Sequence, residues 1–184
     1  MVKYAQESDL ADLNSAELSE RLAAVLRDAM PWLLTISEAE ASVPERPGKW
    51  SGKQVMGHLT DSAVNNLARI VRMQIEAEPK LSGYEQMEWV GLQHYAEREW
   101  AQVLALWFAL NEHVAWAIAH IDKASLGSVG VVEGDAVTLG FLIEDYVAHM
   151  QHHLRAMQGW MGPSVVGRHP KLVVQVSNTL DRRG

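Results

Sequence analysis

The chain has 184 residues, 48% of them hydrophobic, and a formal net charge of −7. That length and apolar content suit one globular domain with a sizeable core, and the negative charge argues against a sequence-independent grip on nucleic-acid phosphates or anionic lipid. Cysteine is absent, which removes disulfides, thiolate metal sites and a cysteine nucleophile, so any metal must sit on nitrogen and oxygen.

The first residues lack the apolar core of a secretory signal. The longest strongly apolar stretch, 103–110, is far short of the roughly 20 residues that span a bilayer. The expectation is a soluble cytoplasmic protein without membrane contact.

Helical periodicity dominates. A first helix is predicted over about 14–41, opening with Asn14 and Glu17 at capping-box spacing and carrying Pro31 as a point of kinking or splitting. After a Pro/Gly-containing link, a second helix opens at Ser51, where Gln54 completes another capping box and Trp50 can staple onto Val55. It continues to about residue 77, ahead of Pro79. The segment 79–96, with Gly83, Tyr84, Trp89 and Tyr95, reads as a loop with a short helix, longer than a bundle requires and therefore a candidate cover. A third helix spans about 97–121, Gly127, Gly130 and Gly134 mark an irregular link or short hairpin, and a last helix runs over about 138–160. The fold class this implies is all-α, a four-helix bundle of residues 1–162 with a short β-hairpin or C-terminal strand. Residues 163–184 form a tail that packs on the bundle or on a partner.

The chemistry concentrates in a few histidines. His149 and His153 are four residues apart, so on a helix their imidazoles stack on one face and can reach one divalent metal, with a third ligand from a neighbouring helix. The apolar side of the last helix is set by Leu139, Leu142, Ile143, Tyr146, Met150, Leu154 and Met157. His149 and His153 fall within or at the edge of that side, and His152 outside it. Two imidazoles facing a core carry a desolvation cost that a metal would offset. His58, on the second helix, heads a polar stripe with Ser62, Asn65 and Arg69 beside the apolar stripe of Val55, Leu59, Ile70 and Met73. Such a stripe lines a pocket inside a bundle or forms a solvated face.

Asp61 and Asp145 are each either solvated carboxylates or acceptors that orient an imidazole. Arg69 is a surface or salt-bridged residue, or a grip for an anionic group. Tyr84 and Trp89 are the aromatics placed to border a pocket, since they lie in the covering segment. His94, His113, His120 and His169 lack a partner pattern and read as surface or capping residues.

Lys49-Trp50-Ser51 through Gly57-His58-Leu59-Thr60-Asp61-Ser62, together with Asp145 to Leu154, resembles the DinB superfamily of metal-binding four-helix bundles over about residues 10–160. The resemblance implies a facial triad of His58, His149 and His153. It also implies a metal-dependent transferase that activates a low-molecular-weight thiol such as bacillithiol, mycothiol or glutathione; the alternative is a metal-dependent hydrolase, with the same cation presenting hydroxide to an amide or related bond. A non-catalytic metal- or ligand-binding bundle acting in a stress response is the third reading. No catalytic side chain is singled out. Zinc and nickel both suit imidazole with water, the partner is a small-molecule substrate, and the Trp-rich helices and Val-rich tail point to a homodimer.

Overall fold

The structure, a computed structural model, describes residues 3–161. Four long helices carry the core: α1 (Ser15–Leu33), α3 (Gly52–Ile75), α5 (Trp100–Ala119) and α6 (Leu139–Met161). Two short helices, α2 (Glu38–Ala41) and α4 (Gln86–Leu92), and three short strands, β1 (Lys80–Leu81), β2 (Val129–Val132) and β3 (Asp135–Thr138), occupy the connections. The predicted tail 163–184, His169 included, lies outside the described residues.

Helix starts follow their capping residues. The Asn14 side chain accepts from the amides of Ala16 and Glu17 at 2.9 and 3.2 Å, and Ser51 and Gln54 bond each other reciprocally at 3.0 and 3.4 Å. The predicted helix 14–41 is instead two helices. Pro31 lies inside α1 without ending it; the break comes after Leu33, because Ser37 and Glu40 form a second capping box that starts α2. The predicted hairpin is present: Glu133 and Gly134, at φ 50° and 92°, make the left-handed turn that joins β2 to β3 with a matching twist. Strand β1 adds to β2 in parallel, Lys80 opposite Val131.

Helix α1 packs on α5 and α6, and α3 packs on the same two. Helices adjacent in sequence, α1 with α3 and α5 with α6, therefore lie diagonally across the bundle, and α3 becomes the spatial neighbour of α6. That topology brings side chains 91 residues apart into contact. No helix among the described residues is long and apolar enough to cross a membrane.

The seven apolar positions read for α6 are all buried, but so are Phe141, Glu144, Asp145 and Val147. The N-terminal segment before α1 accounts for the acidic pair. Asp145 Oδ1 accepts from the amides of Tyr4 and Ala5, and Glu144 accepts from the Ser8 hydroxyl at 2.7 Å and from Arg21 at 3.1 Å. Charge-assisted bonds of this kind offset the desolvation of the two carboxylates.

Candidate metal centre

His58 enters from the second turn of α3 and His149 and His153 from one face of α6. Each offers a ring nitrogen, and the three nitrogens lie within 4.8 Å of one another. The Nε2 atoms of His58 and His149 stand 3.1 Å apart, and the ring centroids of the three imidazoles are 4.6–5.1 Å apart in edge-to-face pairs. His58 is fully buried, His149 nearly so and His153 half-buried. Its neighbour His152 is exposed and outside the cluster.

Burial, and after it the His153 imidazole, pushes His58 down to about 4. Burial and then the surrounding His153, His58 and His152 rings bring His149 down to about 3. His153 falls to about 4 through burial and His152. All three are neutral at pH 7, with lone pairs free to coordinate.

The donor set fits a divalent cation. Two nitrogens each about 2.0–2.1 Å from one ion at a near-tetrahedral angle stand ~3.3 Å apart, close to the separation of the His58 and His149 nitrogens. The other nitrogen of His58, Nδ1, is buried with no hydrogen-bond partner among the described residues, so packing alone, and not an outer acceptor of the usual kind, fixes this ring. Three neutral ligands fill fewer positions than a tetrahedral ion offers, which is the pattern of a reactive rather than a closed site.

The surroundings are built from α3. Ser62, one turn beyond His58, has its hydroxyl 3.4 Å from His149 Nδ1. Asp61 is buried and its Oδ1 accepts from Gln93 at 2.6 Å and from the Tyr95 hydroxyl at 2.8 Å; burial raises its pKa while those two bonds oppose the rise. Tyr95 reaches it because position 57 is glycine: a Cβ there would lie 2.2 Å from the Tyr95 ring. Asp145 is spent on the N-terminal amides. Neither aspartate is hydrogen-bonded to a cluster imidazole.

A cavity of about 170 Å³ opens beside His149, with Ser62, Asn66, Arg69 and Tyr84 on one side and Asp145 and Tyr4 on the other. Burial pushes the Tyr84 phenol up to about 12, reinforced by the charge of Asp61. A second hollow, about 600 Å³, adjoins His153 and His152 and is walled by Trp50 and Trp160, with Arg46 and Lys49 at its edge. Of the residues read as pocket-lining, Ser62, Arg69, Tyr84 and Asp145 reach the smaller cavity. Asn65 does not; its amide donates to the Asp61 carbonyl at 2.8 Å, and Asn66 takes the place. Trp89 packs on Tyr84 in a tilted pair, centroids 4.9 Å apart, rather than bordering the space. Tyr4, whose ring lies 4.9 Å from that of His149, carried no periodic signal, and only its position at the chain's start distinguished it. Of the other histidines, His94, His113 and His120 are exposed; His94 pairs with Glu97 at 3.0 Å and His120 bonds the Trp116 carbonyl at 2.7 Å, capping the end of α5.

The sequence profile of the DinB superfamily matches residues 21–157. The chain belongs to the DinB superfamily. Among similar proteins, a relative from Geobacillus thermodenitrificans, provisionally named a metal-dependent hydrolase, is 27% identical over 163 residues, 82% of this chain and 90% of the relative. The structure of YfiT from Bacillus subtilis, described as a probable metal-dependent hydrolase with an unusual four-helix bundle topology, superposes with a TM-score of 0.74 at 20% identity, covering 86% of this chain and 95% of YfiT. A mycothiol-dependent maleylpyruvate isomerase superposes with a TM-score of 0.64 at 12% identity, covering 86% of this chain and 65% of the isomerase. At those identities both structures speak to the fold, and this DinB chain shares its four-helix bundle with them.

Proposed function

We propose that this DinB protein is a metal-dependent hydrolase whose divalent cation is held by His58, His149 and His153. The observation that carries the reading is the convergence of three neutral imidazoles, two buried and one half-buried, with His149 at the edge of a cavity, and the metal-dependent hydrolase name of its Geobacillus relative supports it. When bound, a divalent cation supplies Lewis acidity and brings the pKa of a coordinated nucleophile towards neutrality. The chain's own residues do the rest. Because the ligands are uncharged, the full charge of the cation is available to the reaction; Ser62 steadies His149 through Nδ1; and the Tyr4 ring shields one side of the centre from solvent. Zinc and nickel both suit the donor set.

A second reading is thiol transfer, and the hollow beside His153 favours it: at about 600 Å³ it has room for a cosubstrate larger than water, with Trp50 and Trp160 as walls and Arg46 and Lys49 for its negative groups. The chain lacks cysteine, so the thiol would come from that cosubstrate. The test is the metal content of purified protein, His58→Ala and His149→Ala, followed by turnover of small esters and amides with and without added thiols. One ion per chain, lost in both variants, with thiol-independent turnover, is the expected result. Turnover only with a thiol selects the second reading, and unchanged metal content in both variants overturns the site.

A further inference from the structure

Hydrogen-bond polarity runs outward from the metal centre to the wall of the smaller cavity. The Nε2 atoms of His58 and His149 face each other, and His149 presents its other ring nitrogen, Nδ1, to the Ser62 hydroxyl at 3.4 Å. With Nε2 committed to a cation, the ring proton of His149 sits on Nδ1 and is donated to Ser62. Asn66, one turn further along α3, donates its amide to the Ser62 carbonyl at 2.9 Å and to the same hydroxyl at 3.3 Å. A serine hydroxyl offers two lone pairs and one proton. Both lone pairs are then taken, and the proton goes to the remaining neighbour of the hydroxyl among the described residues, the Tyr84 phenol, to which Ser62 is hydrogen-bonded. A phenol that accepts from Ser62 keeps its own O–H for another acceptor.

Tyr84 lines the cavity together with Ser62 and His149. Two other tyrosines of this region spend their hydroxyls inside the protein: Tyr146, on the same cavity, donates to Asn111, and Tyr95 donates to Asp61. The Tyr84 ring is held from behind by Trp89. Three charged groups act on its phenol: beyond burial, Asp61 and then Glu133 favour the protonated form and Arg69 opposes them. The outcome, about 12, leaves a neutral donor at pH 7. Size does the rest. The cavity, about 170 Å³, is close to the ~150 Å³ space that takes up benzene, so an occupant that fills it up to His149 also meets Tyr84.

We propose that Tyr84 is a catalytic residue whose hydroxyl donates a hydrogen bond to the carbonyl oxygen of the substrate and stabilises the negative charge that develops there during hydrolysis. The inference rests on the hydrolase reading and adds a residue to it. When water adds to the carbonyl carbon, a C–O bond forms and the C=O pair moves onto oxygen; Tyr84 donates to that oxygen and retains its proton. On collapse the pair returns, the carbonyl is restored, the bond to the leaving alcohol or amine breaks, and the proton given up by the attacking water goes to the leaving group. A fixed donor aimed at developing charge binds the transition state more strongly than the substrate.

Tyr84→Phe keeps the ring against Trp89 and removes only the hydroxyl. Ligand-observed NMR on zinc-loaded protein reads the role by binding, without turnover, using monomethyl methylphosphonate, whose tetrahedral anion mimics the addition state, and the planar, neutral N-methylacetamide. Tyr84→Phe should weaken the phosphonate by about tenfold, the effect of losing one hydrogen bond to a charged group, and the amide by clearly less. In turnover of a small ester, kcat should fall by about 100-fold with KM little changed. A merely structural role would move both ligands alike, and an unchanged thermal transition with unchanged zinc stoichiometry separates the lost donor from misfolding. Equal losses for the two ligands, or phosphonate affinity and kcat as in the wild type, overturn the proposal. The two readings fail separately. Zinc uptake with phosphonate binding that depends on Tyr84, but no turnover of esters or amides, overturns hydrolysis and supports the donor; zinc uptake and turnover that Tyr84→Phe leaves intact remove the donor alone. Absence of zinc uptake overturns the metal centre and, with it, the polarity on which the donor depends.

Discussion

The face between α1 and α5 and the face between α3 and α6 belong to one bundle but are made of different materials. On α1 and α5 the buried residues are Leu, Val, Ala, Ile and Trp, with Ser15 and Asn111 as the polar exceptions. On α3 and α6 the buried set includes His58, Asp61, Ser62, Asn66, Glu144, Asp145 and His149. Burial of hydrocarbon stabilises in proportion to area, whereas each buried polar group costs free energy unless it finds a partner. The first face holds the bundle together, and the second uses part of that stability to keep imidazoles dry and convergent.

The largest effect should come from cutting the apolar face. Leu22 is fully buried on α1, and Leu22→Ala should cost about 2–5 kcal/mol in chemical denaturation while the zinc stoichiometry of the remaining folded protein stays the same. A loss of zinc binding along with stability would show that the two faces are not separable.

Acid should act on the other face. The cluster imidazoles have folded values near 4, 3 and 4 against an ordinary 6.5, so on lowering the pH the unfolded chain takes up protons before the folded one does. Where the unfolded state binds more protons, stability falls as pH falls. Metal-free protein should therefore lose stability progressively from about pH 6.5 downwards to about pH 4, and a His58→Leu, His149→Leu double variant should show a shallower slope between pH 6.5 and 5, above the range where carboxylates titrate. Equal slopes in urea unfolding would mean that the rings are not held neutral by burial.

Gly57→Ala probes the seam between the faces. Its Cβ would collide with the Tyr95 ring, at a cost of about 1–3 kcal/mol for overpacking, and displacing Tyr95 would leave Asp61 with Gln93 alone of its two donors. The near-ultraviolet circular dichroism of the tyrosines should change with it; an unaltered spectrum at wild-type stability would place Tyr95 elsewhere. The smallest effect is expected from Asp145→Asn, which weakens two backbone bonds to the N-terminal segment by about 1 kcal/mol. Amide exchange should quicken at Tyr4 and Ala5 with α3 unchanged.

Much of the architecture was legible because α-helical periodicity and capping pairs are local signals. Ser51 with Gln54 marked the start of α3, and the seven apolar positions of α6 gave its buried side. The spacing of His149 and His153 is equally local, and the motif resemblance joined His58 to them across the sequence. What escaped is non-local or degenerate. The break between α1 and α2 falls where the capping box of Ser37 and Glu40 starts a new helix, and not at Pro31, which α1 accommodates. Asn65 and Asn66 are adjacent on one helix, and only the packing of α6 shows which faces the cavity. Tyr4 and the roles of Glu144 and Asp145 depend on chain segments more than a hundred residues apart meeting at α6, for which no spacing rule exists.

The account stands on one ion shared by three imidazoles from α3 and α6 with positions left for reactants. X-ray absorption of the zinc-loaded protein reads that shell directly. Three imidazole nitrogens at about 2.0–2.1 Å and at least one light-atom ligand that is displaced by added azide are the predicted result. A shell of carboxylate oxygens, or one that azide leaves untouched, would contradict it.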